Sequence, residues 1–440
     1  MPTPTIDFLS DLRRRGLLQQ CTDEPALAEH LRTADPARGG RRGYVGFDPT
    51  ADSLTIGNLV GIIQLARLQR AGHTPVVIMG GGTGFIGDPS GKSAERMLMT
   101  PETIAANVQS IRGIFERVID FSPSATNRGQ MLDNYDWLGR LSYIHVLRDV
   151  GKHFSVNMMI QKESVKERLH NRDQGISYTE FSYMILQAYD YLHLFEKHGV
   201  TLQMGGSDQF GNIVCGMDLI RRGRAEGDSH QPFGLTWPLV TKADGGKFGK
   251  TESGAVWLSA HRTSPYAFYQ FWLNAADADV IRFLKVFTFL TVEEIDALEA
   301  AHAADPGKRE AQRALARHMT ELLHGPTERE HAEAAARALF TGDIAHLPLA
   351  TLEEALASAP SSEHPRSQLE GTGVALIDVL AQTTLAKSRS EARTLLSQNS
   401  ISVNGHKAAA DARLTTATLL HGKIIALRRG NKAWHITRWV

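Results

Sequence analysis

The spacing of apolar residues changes character along residues 43–87. Residues 44–47 form a short apolar run, and apolar residues between 59 and 66 then recur at the spacing of one helix face. Gly72 ends that repeat, and residues 75–79 form an unbroken run typical of a strand buried on both faces. The pattern predicts a βαβ unit whose sheet is parallel and covered by helices.

Turn-forming residues follow both predicted strands. Asp48 and Pro49 come directly after the first strand, and the glycine-rich stretch 80–87 comes after the second. Ligands of open parallel sheets bind beyond the carboxyl ends of the strands. We therefore predict an α/β domain with its ligand site at these two turns.

The composition of the chain changes further along. A brief strand is predicted at residues 201–204, and residues 260–340 are helical in pattern and rich in Ala and Leu. Residues 348–371 collect Pro, Ser and Gly, which is typical of a linker. After it, a helical pattern, an Asn404-Gly405 turn and a hairpin at 430–431 predict a small α+β domain.

Charge divides the chain in the same way. The 440 residues carry 48 Lys+Arg and 48 Asp+Glu, a formal net charge of zero. Residues 372–440 hold ten Lys+Arg and three Asp+Glu, a net of +7, which leaves −7 for residues 1–371. A basic tail on an acidic body favours a polyanion partner, and a merely solvated surface is the alternative.

Cysteine content and hydropathy indicate the compartment. The only cysteines, Cys21 and Cys215, exclude a disulfide framework and fit a reducing environment. Asp7 precedes any apolar run, unlike a signal peptide, and the long uncharged stretch 71–87 is too polar to span a membrane. These features predict a cytoplasmic protein with no membrane partner.

Two glycine motifs share one loop, and neither meets its structural requirements. Residues 82–87 match GxGxxG, but another turn follows at 88–91, where a dinucleotide fold needs a helix. Residues 87–93 are one residue short of a Walker A loop. We interpret the segment as a glycine-rich loop passing close to a ligand.

Three separated segments carry a more specific pattern. They are residues 44–58, Gly-Gly-Ser-Asp-Gln at 205–209, and Lys-Phe-Gly-Lys-Thr at 247–251, accompanied by residues 181–190. With these motifs the chain resembles the bacterial tyrosyl-tRNA synthetases, which belong to the class I aminoacyl-tRNA synthetases. Residues 55–58 stand where that class carries its HIGH signature, and residues 247–251 where it carries KMSKS.

The resemblance runs from about residue 40 to the C-terminus. It implies a Rossmann-like parallel-sheet catalytic domain at 1–239 and an α-helical anticodon-side domain at 240–347, which opens with the KFGKT loop. The linker 348–371 then leads to a small α+β RNA-binding domain of the ribosomal small-subunit type at 372–440.

The implied reaction joins L-tyrosine to ATP, giving tyrosyl-adenylate and pyrophosphate, and then transfers tyrosine to the 3′ end of tRNA(Tyr). The resemblance also implies a homodimer and Mg²⁺ accompanying ATP, and we predict no metal bound by the protein itself. Two alternatives remain open. One is an RNA-binding protein that has lost catalysis, which is supported only by Thr55 in place of histidine, and the other is the related tryptophan enzyme.

The segment 50–58 suits a nucleotide, because a helix N-terminus after a turn offers free N–H groups and a positive dipole end to phosphate. Lysines on either side of Gly249 suit a mobile double cation for pyrophosphate. The resemblance implies as catalytic residues Thr50, Thr55, Asn58, Lys92, Arg96, Lys247, Lys250 and Thr251. The implied ATP-binding residues are Gly46, Asp48, Gly57, Asn58, Gly206, Asp208 and Lys250.

Tyr44 and Asp190 match the pair that binds the substrate phenol. A buried carboxylate that accepts from a phenol loses its partner when phenylalanine binds, and tyrosyl-tRNA synthetase is the standard example of this selection. The tyrosine-binding residues implied are Tyr44, Asp88, Tyr183, Gln187, Asp190 and Gln209, with Asn134 and Gln203 orienting them. Tyr183, Gln187 and Asp190 are spaced four and three residues apart, so they are predicted to share one face of a helix.

This chain departs from the family pattern at both histidines of HIGH, which are Thr55 and Asn58 here. Thr55 is shorter and uncharged, so its donation to pyrophosphate is expected to be weaker or mediated by water. The RNA contacts implied are Lys162, Lys387, Arg389, Arg393, Lys407, Arg428 and Arg429. For Lys162 a solvated helix face is the alternative.

Overall fold

The structure is a computed structural model, and it describes residues 7–87, 99–162, 165–166, 169, 176–223, 231–243, 245–246, 248–251, 254–357, 359–430 and 433–440. The chain divides into two compact units. The first comprises Met1–Thr263 and Ala275–Leu315, and the second comprises Ser264–Asn274 and Ala316–Val440.

The first unit is built on a six-stranded sheet. The strands are β1 (Gln20–Cys21), β2 (Arg42–Phe47), β3 (Thr74–Met79), β4 (Gln130–Asp133), β5 (Val200–Gly206) and β6 (Phe233–Trp237), in the order β1-β6-β5-β2-β3-β4. Only β1 runs antiparallel to its neighbour. A two-stranded ribbon of β7 (Lys250–Thr251) and β8 (Gly254–Ala255) also belongs to this unit.

Helices accompany the sheet along the chain. They are α1 (Phe8–Arg14), α2 (Glu24–Arg32), α3 (Ile56–Arg70), α4 (Pro101–Glu116), α5 (Tyr135–Leu138), α6 (Tyr143–His145), α7 (Val156–Ile160), α8 (Tyr178–His198), α9 (Phe210–Gly223), α11 (Asp277–Phe287) and α12 (Val292–Ala304). Helix α10 (Pro265–Leu273) belongs to the second unit, and α13 (Glu310–His324) begins in the first unit and ends in the second.

The predicted βαβ unit is confirmed. Strand β2 pairs in parallel with β3, with Tyr44 opposite Val76, and α3 connects them. Every residue of β3 is buried, which explains its unbroken apolar sequence. Helix α3 is buried over most of its length, so the sequence between residues 59 and 68 carries little polar face.

The chain reverses its direction of travel across the sheet at β2. Strands β3 and β4 extend the sheet to one side of β2, whereas β5 and β6 extend it to the other. Such a switch point opens a crevice at the carboxyl ends of the strands, which is where ligands of α/β sheets bind. Here the crevice lies between the ends of β2 and β5.

The second unit combines helices with a five-stranded sheet. The helices are α10, the end of α13, α14 (Pro326–Thr341), α15 (Leu349–Ala355), α16 (Leu376–Leu380) and α17 (Arg389–Ser397). The sheet follows the order β12-β11-β14-β15-β9, formed by β12 (His406–Lys407), β11 (Ile401–Val403), β14 (Ile424–Arg429), β15 (Ala433–Trp439) and β9 (Ser361–His364). Strands β10 (Val374–Ala375) and β13 (Arg413–Leu414) form a separate pair.

The structure differs from the predicted linker at 348–371. Helix α15 and strand β9 lie within that segment, and β9 pairs in parallel with β15, placing Ser361 opposite Ile436. His364 is buried and stacks on Trp439, with ring centroids 4.9 Å apart. Proline and serine at this position therefore border an edge strand, which tolerates both residues, and the segment is not a free connection.

Within the described residues, no helix has the length and apolar composition needed to cross a membrane.

Candidate active site

A cavity of about 520 Å³ lies at the carboxyl ends of the central strands. It brings together residues that are far apart in sequence, because β2 and β5 are parallel neighbours in the sheet and their carboxyl ends lie side by side. The predicted site residues that line it are Tyr44, Gly46, Asp48, Thr50, Thr55, Gly57, Asn58, Asn134, Tyr183, Gln187, Asp190, Gln203, Gly206, Asp208 and Gln209. As predicted, positions 183, 187 and 190 share one face of α8 and all border the cavity.

Asp190 is the buried carboxylate of the cavity, with 4% of its surface exposed. Its Oδ2 accepts a hydrogen bond from Asn134 Nδ2 at 2.8 Å, and its Oδ1 accepts one from Trp137 Nε1 at 2.7 Å. Burial raises the pKa of Asp190 to about 7, and the two donors oppose that rise. The carboxylate is thus held in one orientation while retaining lone pairs for a ligand.

Tyr44 lies on β2 and is 2% exposed. Its hydroxyl is buried and has no hydrogen-bond partner among the described residues. Burial, followed by the negative charge of Asp190, raises the pKa of the Tyr44 hydroxyl well above its ordinary value. An unpaired buried hydroxyl beside a buried carboxylate is costly unless a ligand hydroxyl completes the pair.

The side chain of Asn134 is oriented by the loop after β3. Its Oδ1 accepts from the Gly82 N–H at 2.7 Å, and its Nδ2 also donates to Thr83 Oγ1 at 3.1 Å. The Thr83 hydroxyl in turn donates to Asp48 Oδ1 at 3.1 Å. The Gly82 N–H and the Thr83 hydroxyl therefore fix the direction of the Asn134 amide.

Sequence reasoning missed Trp137. The indole stacks on His193 of α8, with ring centroids 4.5 Å apart and planes within 14°, and this contact orients its N–H toward Asp190. The one available signal was its position three residues after Asn134, on the short helix α5. A tryptophan at that spacing is otherwise a core residue.

Sequence reasoning also missed Asn212, which is 6% exposed. Its Nδ2 donates to Gln187 Oε1 at 3.1 Å and to Gln209 Oε1 at 3.4 Å. Gln187 Nε2 donates to Gln209 Oε1 at 3.2 Å. Three amides on three elements thus hold one another on one wall of the cavity.

The N-terminus of α3 opens toward the cavity. Asn58 Oδ1 accepts from the Thr55 backbone N–H at 3.0 Å and from the Thr55 hydroxyl at 2.8 Å. The Thr55 hydroxyl hydrogen is therefore used within the helix start, and the expectation of a weak or water-mediated donation to pyrophosphate stays a prediction. A side chain on Gly46 would meet nothing within 4 Å, so this glycine leaves open space above the strand.

Gly249 of the KFGKT segment lies against the start of α3. Gly249 has a φ of +80°, and a Cβ there would lie 2.5 Å from Ile56 Cγ2, so only glycine fits. The Gly249 carbonyl accepts from Val256 N–H, and the Val256 carbonyl accepts from Ile56 N–H. Lys247, Asp88, Lys92 and Arg96 lie outside the described residues, as do the side chains of Lys250 and Thr251.

Arg428 does not serve as an RNA contact, and that prediction is wrong. It is 6% exposed, and its guanidinium donates to the carbonyls of Leu339, Phe340 and Thr341, each at 3.4 Å. It also lies 5.0 Å from the ring centroid of Trp434. The side chain caps the C-terminal carbonyls of α14, as a cation at a helix C-terminus does.

The other predicted RNA residues of the second unit are more accessible. Arg389 is 70% exposed and pairs with Asp378 at 2.6 Å, and Arg429 is 43% exposed and pairs with Glu391 at 3.1 Å. Lys407 Nζ donates to the Asn399 carbonyl at 2.7 Å. The remaining two, Lys387 and Arg393, are exposed. In the first unit, Lys162 is half-buried and donates to the Gly211 carbonyl at 3.3 Å, so it is not a freely solvated lysine.

No group of three or more His, Cys, Asp or Glu side chains arranged to hold a metal ion occurs within the described ranges. The polar groups of the cavity are instead amides, hydroxyls and single carboxylates, which suit an organic ligand.

Comparisons with known proteins identify the family of this chain. A family model described as tRNA synthetases class I (W and Y) matches residues 39–341, and one described as the tyrosine–tRNA ligase SYY-like C-terminal domain matches residues 356–437. The second match begins within the predicted linker, where β9 joins the sheet.

Two curated relatives and one solved structure illustrate the similarity. The chain is 49% identical over 438 residues to a tyrosine–tRNA ligase of Aliivibrio fischeri, covering 99% of this chain and all of that protein. It is 48% identical over 435 residues to that of Bacillus caldotenax, covering 99% and 100%. A C-terminally truncated mitochondrial tyrosyl-tRNA synthetase of Aspergillus nidulans superposes with a TM-score of 0.67 at 30% identity, over 76% of this chain and 94% of that one. The chain therefore belongs to the tyrosine–tRNA ligase family of the class I tRNA synthetases.

Proposed function

We propose that this chain joins L-tyrosine to tRNA(Tyr) in two steps at the cavity between β2 and β5. The carboxylate of tyrosine first attacks the α-phosphate of ATP and expels pyrophosphate. A ribose hydroxyl at the 3′ end of tRNA(Tyr) then takes the tyrosyl group and releases AMP. The observation that carries the proposal is the buried, unpaired hydroxyl of Tyr44 beside the oriented carboxylate of Asp190.

In this proposal the substrate phenol completes that pair. It donates its O–H to Asp190 and accepts from the Tyr44 hydroxyl, so both buried groups become satisfied. Phenylalanine leaves the Tyr44 hydroxyl without a partner and offers no donor to the remaining lone pairs of Asp190. The same argument disfavours the tryptophan enzyme, because an indole N–H donates to Asp190 but offers no acceptor to Tyr44.

The amide wall would hold the other end of tyrosine. Tyr183 and Gln187 on α8, with Asp88, would bind the α-ammonium group, and Gln209 would lie beside the reacting carboxylate. Asn212 contacts both glutamines, so it would orient them. In this proposal the reacting carboxylate of tyrosine would lie between the phenol site and the helix start that would receive ATP.

ATP would occupy the open side of the cavity. The glycines at 46 and 57 leave space for the nucleotide, and the positive dipole end of α3 would face its phosphates. Asp48 and the segment of Gly206 and Asp208 would bind the adenosine, the latter through the ribose hydroxyls. Thr50 and Asn58 would donate to the phosphates, with Thr55 acting through Asn58.

The leaving pyrophosphate needs cations, because negative charge accumulates on it in the transition state. The proposal assigns this role to Lys92, Arg96, Lys247, Lys250 and Thr251, on the strength of the family motifs in the sequence. Mg²⁺ would arrive bound to the phosphates of ATP rather than on a protein site.

The tRNA would contact the exposed cations of the second unit, which are Lys387, Arg389, Arg393, Lys407 and Arg429, together with Lys162 on the first. A homodimer is supported by large apolar side chains that are exposed on the first unit, including Tyr143 (62%), Ile144 (69%) and Val156 (57%). The cytoplasm remains the proposed location.

The test is ATP–pyrophosphate exchange with tyrosine, tryptophan or phenylalanine as the amino acid. Exchange with tyrosine alone supports the proposal, and exchange with tryptophan would identify the sister enzyme. Absence of exchange with every amino acid would leave an RNA-binding protein without catalysis. Lys250→Ala should slow adenylate formation far more than it weakens tyrosine binding, because its cation acts in the transition state.

A further inference from the structure

Helix α11 lies outside the cavity but contacts the chain on both sides of Lys247. At its start, Asp279 is only 3% exposed, and its two carboxylate oxygens lie 3.0 and 3.2 Å from the backbone nitrogen of Ala243, whose N–H they accept. Arg282, one turn later, donates to Asp279 Oδ1 at 2.6 Å and also to the Thr241 carbonyl. The start of α11 therefore holds the backbone of Thr241 and Ala243, which lie between β6 and the KFGKT segment.

The other end of α11 holds Phe248, the residue directly after Lys247. The ring of Phe248 lies 5.0 Å from that of Phe283 and 5.2 Å from that of Phe287, with the latter pair nearly parallel at 21°. Phe283 is 3% exposed and Phe287 is fully buried. This aromatic contact is apolar and independent of the polar contact at Asp279.

Helix α11 is itself tied to the helix that begins at the cavity. Arg67 of α3 donates to the carbonyls of Lys285, Val286 and Thr288, at distances between 2.7 and 3.2 Å. Arg67 is buried and paired with Asp11 at 3.0 Å, which keeps its guanidinium in place. Helix α11 therefore contacts both α3, whose N-terminus borders the cavity, and the residues on either side of Lys247.

We propose that Asp279 is a positioning residue for amino-acid activation, acting through the backbone of residues 241–243 to set where the KFGKT cations lie relative to the start of α3. The inference rests on the proposed function, because it concerns the activation of tyrosine by ATP. Asp279 touches no substrate. Its effect is on the geometry of groups that act in the transition state, and a misplacement of about 1 Å in such groups costs about 100-fold in rate.

Asp279→Ala removes both the acceptor for Ala243 and the partner of Arg282. We expect the rate of tyrosyl-adenylate formation at saturating substrates to fall about 10- to 100-fold. The dissociation constant for tyrosine, measured by equilibrium dialysis, should stay within about twofold, since the phenol and amide contacts lie elsewhere. Asp279→Asn keeps an oxygen that accepts from Ala243 and should recover most of the rate.

Asp277→Ala provides the matched control. Asp277 lies in the same first turn of α11, and its partners among the described residues are Gln312, whose Nε2 donates to it at 2.7 Å, and His302. If Asp277→Ala slows adenylate formation as much as Asp279→Ala, the effect comes from helix stability and the inference is overturned. If Asp279→Ala forms adenylate at the wild-type rate while the wild type shows normal exchange, the inference on Asp279 is overturned and the proposed function stands. Absence of tyrosine-dependent exchange in the wild type overturns the proposed function as well.

Discussion

The indole nitrogen of Trp137 lies 2.7 Å from Oδ1 of Asp190 and donates a hydrogen bond to it. Asn134 donates to the second oxygen, so each carboxylate oxygen faces a group that can only donate. This arrangement favours the ionised form against the cost of burial. The balance leaves Asp190 with a pKa of about 7, which makes the proposed phenol site sensitive to pH.

Asp190→Ala should lower the preference for tyrosine over phenylalanine. A hydrogen bond to a charged group contributes about 1.5–3 kcal/mol, so the ratio of the two kcat/KM values should fall about 10- to 100-fold. The ratio is measured in pyrophosphate exchange with each amino acid. Tyr183→Phe is the control, because Tyr183 borders the amide wall and its loss should affect both amino acids alike. An unchanged ratio in Asp190→Ala would remove that residue from phenol recognition.

The kcat/KM for tyrosine should rise between pH 6 and pH 8 with an apparent pKa of about 7. The pKa of Asp190 is raised, so the carboxyl is protonated below that value and cannot accept the phenol O–H as a carboxylate. Trp137→Phe removes one of the donors that lower this pKa, and the rising limb should move to higher pH. A limb that stays in place in Trp137→Phe would assign the titration to another group.

Thr55 and Asn58 should act as one unit. The Thr55 hydroxyl donates to Asn58 Oδ1, which fixes the amide so that its nitrogen remains for the nucleotide. Thr55→Val, Asn58→Ala and the double variant form a cycle in the rate of adenylate formation, and we expect a coupling of at least about 0.5 kcal/mol. Additive losses would mean that Thr55 contacts ATP independently.

Arg428→Ala should lower the stability of the second unit and leave the electrostatics of RNA binding intact. The lost contacts with the end of α14 correspond to about 1–3 kcal/mol, visible as a lower melting transition in calorimetry of the full chain. Arg393→Ala is the counterpart on an exposed position, and it should reduce the salt dependence of tRNA binding by about one unit in slope without a change in melting. The reverse pattern would restore Arg428 as an RNA contact.

Much of the fold was determined by local sequence. The unbroken apolar run of β3 and the helical repeat of α3 specify their own structure, because burial on both faces and a 3.6-residue period leave few alternatives. The motif residues around 44–58 and 205–209 were also identified from the sequence, through their resemblance to the motifs of the bacterial tyrosyl-tRNA synthetases.

Only the tertiary structure decided which polar groups are paired. Trp137 and Asn212 look like core residues in the sequence, and their contacts with Asp190 and Gln187 depend on elements more than twenty residues away. Arg428 looks like a surface cation until the end of α14 is brought to it. Hydrogen bonding and burial are properties of neighbours in space, so the sequence motifs indicated the chemistry through their family resemblance, whereas packing determined which side chains orient the site.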